Sequence, residues 1–431
     1  MKKLIFYILS CLILLSMTYS TKRQEVQRIY KNSILLAQDM LENSKDQTNV
    51  LLSRYQIKRF NRKMTKQQLI IDILDLPSSY KKKKLKRFIK NDIEYIKLAG
   101  RYNKYNHLIP LEKRDLEFKR NMNVEGLKKK NHVQYGVITK NCSLRLAPSY
   151  EYRMAKENDF HFDILQVQFL QRGDAVVVMH RSYDKKWYFA QTQYSRGWIE
   201  QQNIRILDKK TVEKYLSGKK LIVTGKKVKV YYKPGSHGYY YLYMGKAIPF
   251  AKEDKHYYHI LLPLSHDQFE TNYIPVKEDT SRKYLPFTRK NLVIQAVKML
   301  GERYGWGGEN GDTDCSSFFT RFFKSFGVDL PKGSMYQIKG LKRVRYREKN
   351  KLDAINKLTP FQSFLYKPGH IMLYIGTYNE VPLVLHNVWK YRLPDDTKII
   401  IGSVVITDLS LGNDSSDGSF FQQITRIGRL Y

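Results

Sequence analysis

The chain opens with Lys2 and Lys3 ahead of an apolar run from Leu4 to Leu15, followed by Ser16, Thr18 and Ser20. A charged head, an apolar segment too short to span a bilayer comfortably and small residues before a cut after Ser20 predict a secretory signal over residues 1–20. A rival pattern, Ile8-Leu9-Ser10-Cys11, resembles a loose lipoprotein signal, but the apolar segment before it is unusually short. Residues 21–132 are polar and lysine-rich, with apolar positions such as Leu69, Ile70, Ile73 and Leu74 at helical spacings. They predict a basic helical region with scarce strand signals.

At Val133 the rhythm shortens to the alternation of strands. Gly136 to Thr139, Ala175 to Val178, Trp187 to Ala190 and Gly197 to Ile199, separated by turn residues, predict a small β-barrel over 133–210. Residues 219–285 repeat the rhythm through Leu221 to Val223, Val228 to Tyr232 and Tyr257 to Leu262, and predict a second barrel. Trp187 and Trp198 could stack on a glycan, but packing in a barrel core is the commoner use of such residues. Over 286–431 the pattern predicts a helix after Asn291, a glycine-rich loop and a helix from Cys315 to Phe326 stopped by Gly327. Apolar strands follow at His370 to Gly376, Pro382 to Val388 and Ser403 to Leu409. Helix first and sheet afterwards is an α+β layout.

Composition adds one strong fact. The chain has 431 residues and 76 Lys and Arg against 40 Asp and Glu, a net charge of +36. Residues 22–133 alone hold 28 basic side chains against 12 acidic ones, including Lys81 to Lys84, which read most simply as a solvated helix start. So large an excess implies an anionic partner, whether nucleic acid, a membrane face or an acidic wall polymer. The export signal, and the lack of any helix-turn-helix, zinc or RNA-platform pattern, argue against nucleic acid. Three cysteines exclude a disulfide scaffold and leave no Cys-x-x-Cys pair. His256 and His259 have no further ligands nearby, so the chemistry calls for no metal and no cofactor.

The stretch Tyr304-Gly305-Trp306-Gly307-Gly308, then Asp314-Cys315-Ser316-Ser317 at a helix start, carries the chemistry. A cysteine in the first turn of a helix meets the positive end of the backbone dipole and unpaired N–H groups, both of which favour a thiolate. It needs an imidazole base, and downstream only His370 and His386 are available, on adjacent predicted strands. Paired antiparallel, those strands can set the two rings side by side, one facing Cys315 and the other fixing its tautomer. Cys142 lacks such surroundings and reads as structural.

Tyr304 to Ser317, Pro368 to Gly376 and His386 resemble the NlpC/p60 family of bacterial cell-wall cysteine peptidases. Phe162 to Gln166, Val176 to Val178 and Trp187 resemble the first bacterial SH3-like barrel of its multidomain members. The resemblance implies an α+β, papain-like peptidase domain preceded by two all-β SH3-like barrels and a helical region. It further implies hydrolysis of the γ-D-glutamyl to diamino acid bond of peptidoglycan stem peptides in the periplasm or cell envelope. Carried over by motif, Cys315 is the nucleophile, His370 the base and His386 the orienting member. Tyr304 and Asp314 would hold the free amine of the terminal L-alanine, unless Asp314 simply caps the helix, and Ser334 would contact substrate. The loop Glu309 to Thr313 is more polar than in many members. The six basic side chains between Lys342 and Lys351 match no family motif; they either attract anionic wall polymer or form a solvated loop. Membrane attachment would require lipidation at Cys11. A competing reading is a catalytically silent wall-binding scaffold that uses the barrels and the basic surface.

Overall fold

The alternation in the middle of the chain produces two seven-stranded antiparallel sheets. The computed structural model describes residues 2–43, 47–265 and 268–431, with side chains from Lys22 onward except at 117 and 265. The side chains of the expected export signal, Cys11 included, lie outside the described residues. The backbone there begins the helix Lys2–Asn43. No helix among the described residues is long and apolar enough to cross a membrane. The chain divides into two compact units, one of Ser53–Pro286 and Gly305–Tyr336, the other of Met1–Leu52, Phe287–Tyr304 and Gln337–Tyr431.

In the first unit, the strand Ala175–Arg181 is apolar from Ala175 to Met179 because both its faces are covered there. Val176 and Val178 pack with Leu144 and Ile199 inside the sheet, while Val177 packs with Val212 and Tyr215 of the helix Lys209–Ser217. Trp187 and Trp198 are buried, and they share a core with Leu85, Ile89, Ile93 and Ile96 of the helix Lys82–Ala99. Lys81, Lys83 and Lys84 are exposed at its start, as the run of lysines implied. The second sheet closes on Leu221, Val228, Val230, Ile248 and Ile260.

One helical expectation is overturned. Leu69, Ile70, Ile73 and Leu74 belong to no α-helix: the helix Arg54–Lys66 stops before them, and Ile73–Asp75 is a single 3-10 turn. The chain reverses at Gln68, whose φ of 55° is left-handed, and the N–H of Leu69 returns to the Met64 carbonyl. The apolar spacing instead serves a strap across the first sheet, where Ile73 and Leu74 join Val177 and Tyr215. The helix expected after Asn291 begins earlier, at Arg289, because Thr288 is its cap and accepts from the N–H of Asn291 at 3.3 Å.

The second unit is built on one six-stranded antiparallel sheet, whose strands are β1 (Lys342–Val344), β2 (Ser363–Lys367), β3 (His370–Tyr378), β4 (Val381–Arg392), β5 (Lys398–Thr407) and β6 (Arg426–Arg429). Their order across the sheet is β1-β6-β2-β3-β4-β5. The basic stretch 342–351 is thus part strand and part turn; its last member, Lys351, is buried, pairs with Glu348 and lies 4.8 Å over the Phe421 ring. β5 would be an open edge, but the helix Lys2–Asn43 covers it. Ser33 Oγ accepts from the Ile406 N–H at 3.0 Å and lies 2.9 Å from the carbonyl of the same residue. Ile29 enters the core on the same side with Val405 and Val388. Replacing Ser33 by Ala orphans a buried donor and acceptor together, so urea unfolding should show a loss of about 1–3 kcal/mol. A loss below about 0.5 kcal/mol, the scatter of ordinary surface substitutions, would show that this bond does not hold the edge.

Candidate active site

Asp314 fixes where the helix Cys315–Lys324 begins. Its Oδ1 accepts from the N–H groups of Ser316 (2.9 Å) and Ser317 (2.7 Å) and from the Ser316 hydroxyl (2.9 Å). Ser317 Oγ accepts in return from the Asp314 N–H at 2.8 Å, which completes a reciprocal cap. The cap sets Cys315 as the first helical residue, 7% exposed. It also corrects the electrostatic expectation, because two N–H groups that the sequence left for the thiol are taken by a carboxylate. Asp314 Oδ2 accepts from the Gly307 N–H at 3.2 Å and so ties the glycine loop to the helix start.

The loop needs its glycines. Gly307, Gly308 and Gly311 have φ of 61°, 83° and 85°. A Cβ on Gly307 would stand 2.6 Å from the Gln166 carbonyl oxygen, and one on Gly308 would stand 2.9 Å from Phe169 Cβ. Both partners belong to the strand Gln166–Leu170 of the first sheet, so the loop lies on that strand where side chains are missing. The Trp306 ring meets Phe162 edge-on at 5.2 Å. Arg321, one face of the helix further on, donates to the Gly311 carbonyl at 2.5 Å and lies 4.9 Å over the Tyr243 ring. Lys332 Nζ is 3.4 Å from the Gly307 carbonyl, and burial pushes this ammonium down to about 8, with Asp314 opposing the shift. Ser334 opens the helix Ser334–Gly340 and is half-buried; its neighbour Gly333 donates to Ser316 Oγ at 3.1 Å. Cys142 is also a free thiol, and burial, its largest cause, pushes it up to about 12, where a thiolate is inaccessible at neutral pH.

Tyr304, His370 and His386 belong to the other unit. Tyr304 donates its N–H to the Gly402 carbonyl at 2.8 Å, and its ring lies 5.6 Å from Trp389. The register that sets Leu373 opposite Leu385 and Val384 opposite Thr407 makes His370, His386 and Thr407 diagonal neighbours on one face of β3, β4 and β5. All three are buried. His370 Nε2 is 2.9 Å from His386 Nδ1, and His386 Nε2 is 3.1 Å from Thr407 Oγ1. Thr407 Oγ1 donates to the Asp408 carbonyl at 2.7 Å.

The protons in this chain can be assigned from its end. A carbonyl only accepts, so the Thr407 hydroxyl proton points to Asp408 and its oxygen accepts from His386 Nε2–H. His386 Nδ1 is then a bare acceptor and takes the proton of His370 Nε2–H. What is left is the Nδ1 lone pair of His370, a base. Burial, reinforced by Lys367, holds His386 down to about 3, and burial with His386 and Lys367 holds His370 well below the ordinary histidine range. Both rings are neutral at pH 7, as a base and its orienting partner require. Phe420 lies against both rings, 5.8 and 5.9 Å away.

Residues 301–390 match the NlpC/P60 family, and residues 148–200 match the SH3 domain of SH3b1 type. The chain is a mixed α+β protein of several antiparallel sheets with an SH3b domain ahead of an NlpC/P60 domain. The NlpC/P60 match is confined to residues 301–390. A curated relative, the probable endopeptidase p60 of Listeria welshimeri, is 34% identical over 89 residues, which is 20% of this chain and 16% of that one. The match therefore spans well under a fifth of the relative's length. The solved NlpC/P60 endopeptidase of Photobacterium damselae subsp. piscicida shares the fold over 90% of this chain and 95% of its own, with a TM-score of 0.73 at 20% identity. An NlpC/P60 family protein of Bacillus cereus covers 69% of this chain and 99% of its own at a TM-score of 0.52 and 16% identity.

Thr407, Arg321 and Lys332 escaped the sequence reading. Thr407 ends an apolar strand and differs from a surface threonine only once the β4–β5 register is known. Two outcomes are expected. Long-range 1H–15N correlation at pH 7 should show both rings protonated at Nε2 alone, and Thr407→Val should abolish that preference at His386; a protonated Nδ1 on His370 in the native chain would refute the assignment. The acid side of the stability curve follows from the same pair. The unfolded rings bind protons below about 6.5 and the folded His386 only near 3, so stability falls with pH across that window. Each ring contributes at most about 1.4 kcal/mol per pH unit, and His386→Gln should make the curve shallower between pH 6 and 4. An unchanged slope would show that His386 titrates normally when folded.

Proposed function

We propose that the chain is an exported peptidoglycan hydrolase, a cysteine endopeptidase that cleaves the γ-D-glutamyl to diamino acid bond of murein stem peptides. The observation that carries this reading is the proton arrangement of the histidine pair, which leaves Nδ1 of His370 bare and neutral in the domain that matches a peptidase family. Cys315 is the nucleophile. Its thiol proton passes to His370 Nδ1, and the sulfur attacks the glutamyl carbonyl. The departing amine then takes that proton, and water releases the acyl group from sulfur by the same base. His386 and Thr407 act by holding the His370 ring in the tautomer that keeps Nδ1 open.

Tyr304 and Asp314 are assigned to the free amine of the stem and Ser334 to the peptide beyond it. Asp314 already accepts four bonds, three on Oδ1 and one on Oδ2, so Oδ2 is the atom with room for an ammonium. The SH3b domain and the positive surface are assigned to retention on the wall, and residues 1–20 to export, with a lipid only if Cys11 is retained and modified. The five segments 1–20, 21–132, 133–210, 219–285 and 286–431 are proposed as the domain plan.

Mass spectrometry of fragments from defined stem peptides, with and without a free N-terminal L-alanine, tests bond and subsite together. The native chain should release the diamino acid-containing fragment from the free-amine peptide, and Cys315→Ala should release none while still binding sacculi. His386→Gln should lower kcat by about 10²–10⁴, the usual size of a general-base contribution. Release by Cys315→Ala, or equal cleavage of N-acylated stems, would refute the nucleophile or the amine subsite respectively.

A further inference from the structure

A second cavity lies away from the histidine pair, within the unit that carries the six-stranded sheet. It has a volume of about 630 Å³ and lies between β1, β6, the start of β2 and the helix Lys351–Asn356. Arg345, Arg347, Lys357 and Arg429 line it, with Asp353 as the one acidic residue, so the lining carries four positive charges and one negative. All four basic side chains are exposed, and none of them has an ion-pair partner among the described residues.

Exposed cations alone do not make a site. The distinguishing group is Ser363, which also lines the cavity. It is fully buried, and its hydroxyl has no hydrogen-bond partner among the described residues. Strand geometry puts that hydroxyl on the groove side: Ser363 is two residues before Leu365, which shares a core with Ile355 and Leu358 of the neighbouring helix and turn. Across the ladder, Ser363 is directly opposite Arg429, and the two side chains share that face. A buried hydroxyl and a guanidinium side by side under a rim of further cations offer donors and no competing anion except Asp353. That is the donor set a tetrahedral oxyanion takes, with the hydroxyl and guanidinium N–H groups each directed to an oxygen.

We propose that this groove binds a phosphate group of a phosphate-bearing polymer, seating one phosphate over Ser363 and Arg429 while Arg345, Arg347 and Lys357 follow its neighbours. The volume exceeds what a single phosphate needs, and the cations extend along the groove, so a chain of phosphates suits it better than an isolated one. The reading is independent of turnover and stands or falls by binding.

The test is calorimetric titration of the full chain with a poly(glycerol phosphate) chain, inorganic phosphate and a DNA duplex of equal phosphate content. The polymer should bind the native chain, and Arg345→Gln/Arg429→Gln should weaken it by about tenfold or more. Lys83→Gln/Lys90→Gln, which removes two charges from the exposed face of the helix Lys82–Ala99, should leave the affinity within about twofold. Ser363→Ala should weaken binding about threefold to tenfold without lowering the thermal midpoint, because its hydroxyl makes no bond in the free protein. Equal weakening by both double variants, or no effect of Ser363→Ala, would overturn the proposal by reducing the groove to general basic surface. Inorganic phosphate binding as tightly as the polymer would overturn the polymer assignment, and DNA binding as tightly would overturn its specificity.

Discussion

The direction of one hydrogen-bond chain governs the chemistry available to this protein. The Asp408 carbonyl can only accept, and from that end each proton in Thr407, His386 and His370 has one place to go. Reversal would need a donor where there is a carbonyl. Protonation of His386 at Nδ1 would set that N–H against the N–H of His370, and burial with Lys367 holds His386 down to about 3, while burial, His386 and Lys367 lower His370. The sheet supplies the rest. A slip of one residue between β4 and β5 would turn Thr407 to the opposite face and leave His386 without its acceptor. The covering of β5 by Ser33 therefore protects more than an edge, since it holds the strand whose register sets the tautomer.

What could be read from the sequence follows how local each cause is. Cys315 at a helix start, Gly327 as its stop and the glycine loop were legible because caps and left-handed turns are written in adjacent residues. The two histidines were legible as a pair because both fell in apolar runs of strand length. Thr407 was not, since its meaning comes from a register that neighbouring residues do not encode. The run around Leu69 to Leu74 was misread for a related reason: its apolar spacing satisfies the first sheet across the chain, and a left-handed Gln68 broke a periodicity that looked helical. The purpose of Gly307 and Gly308 also lay elsewhere, in the carbonyl of Gln166 and the Cβ of Phe169.

The cysteine helix shows two demands meeting at one terminus. A helix start gathers unpaired N–H groups, and the sequence reading gave them to sulfur. Asp314 claims two of them and uses its remaining oxygen to hold the glycine loop, so placement of Cys315 is secured by a carboxylate next to the sulfur that becomes negative in the proposed reaction. The surroundings offset this with cations: Arg321 spans the loop and the aromatic rings of Phe169 and Tyr243, and Lys332 points at the Gly307 carbonyl. Geometry is obtained from the carboxylate and charge balance from two basic residues of the same unit.

A net charge of +36 attracts anions over the whole surface and so distinguishes no site. Some of these side chains, like Lys351, are taken up by packing and an ion pair. A place where charge becomes recognition must contain something that solvent would not leave as it is. A buried hydroxyl without a partner carries a desolvation cost of about 1–3 kcal/mol, and at Ser363 an alanine would remove that cost without changing the strand. The hydroxyl beside Arg429 is therefore accounted for by a bound oxyanion better than by stability, and it separates the groove from the rest of an evenly basic surface.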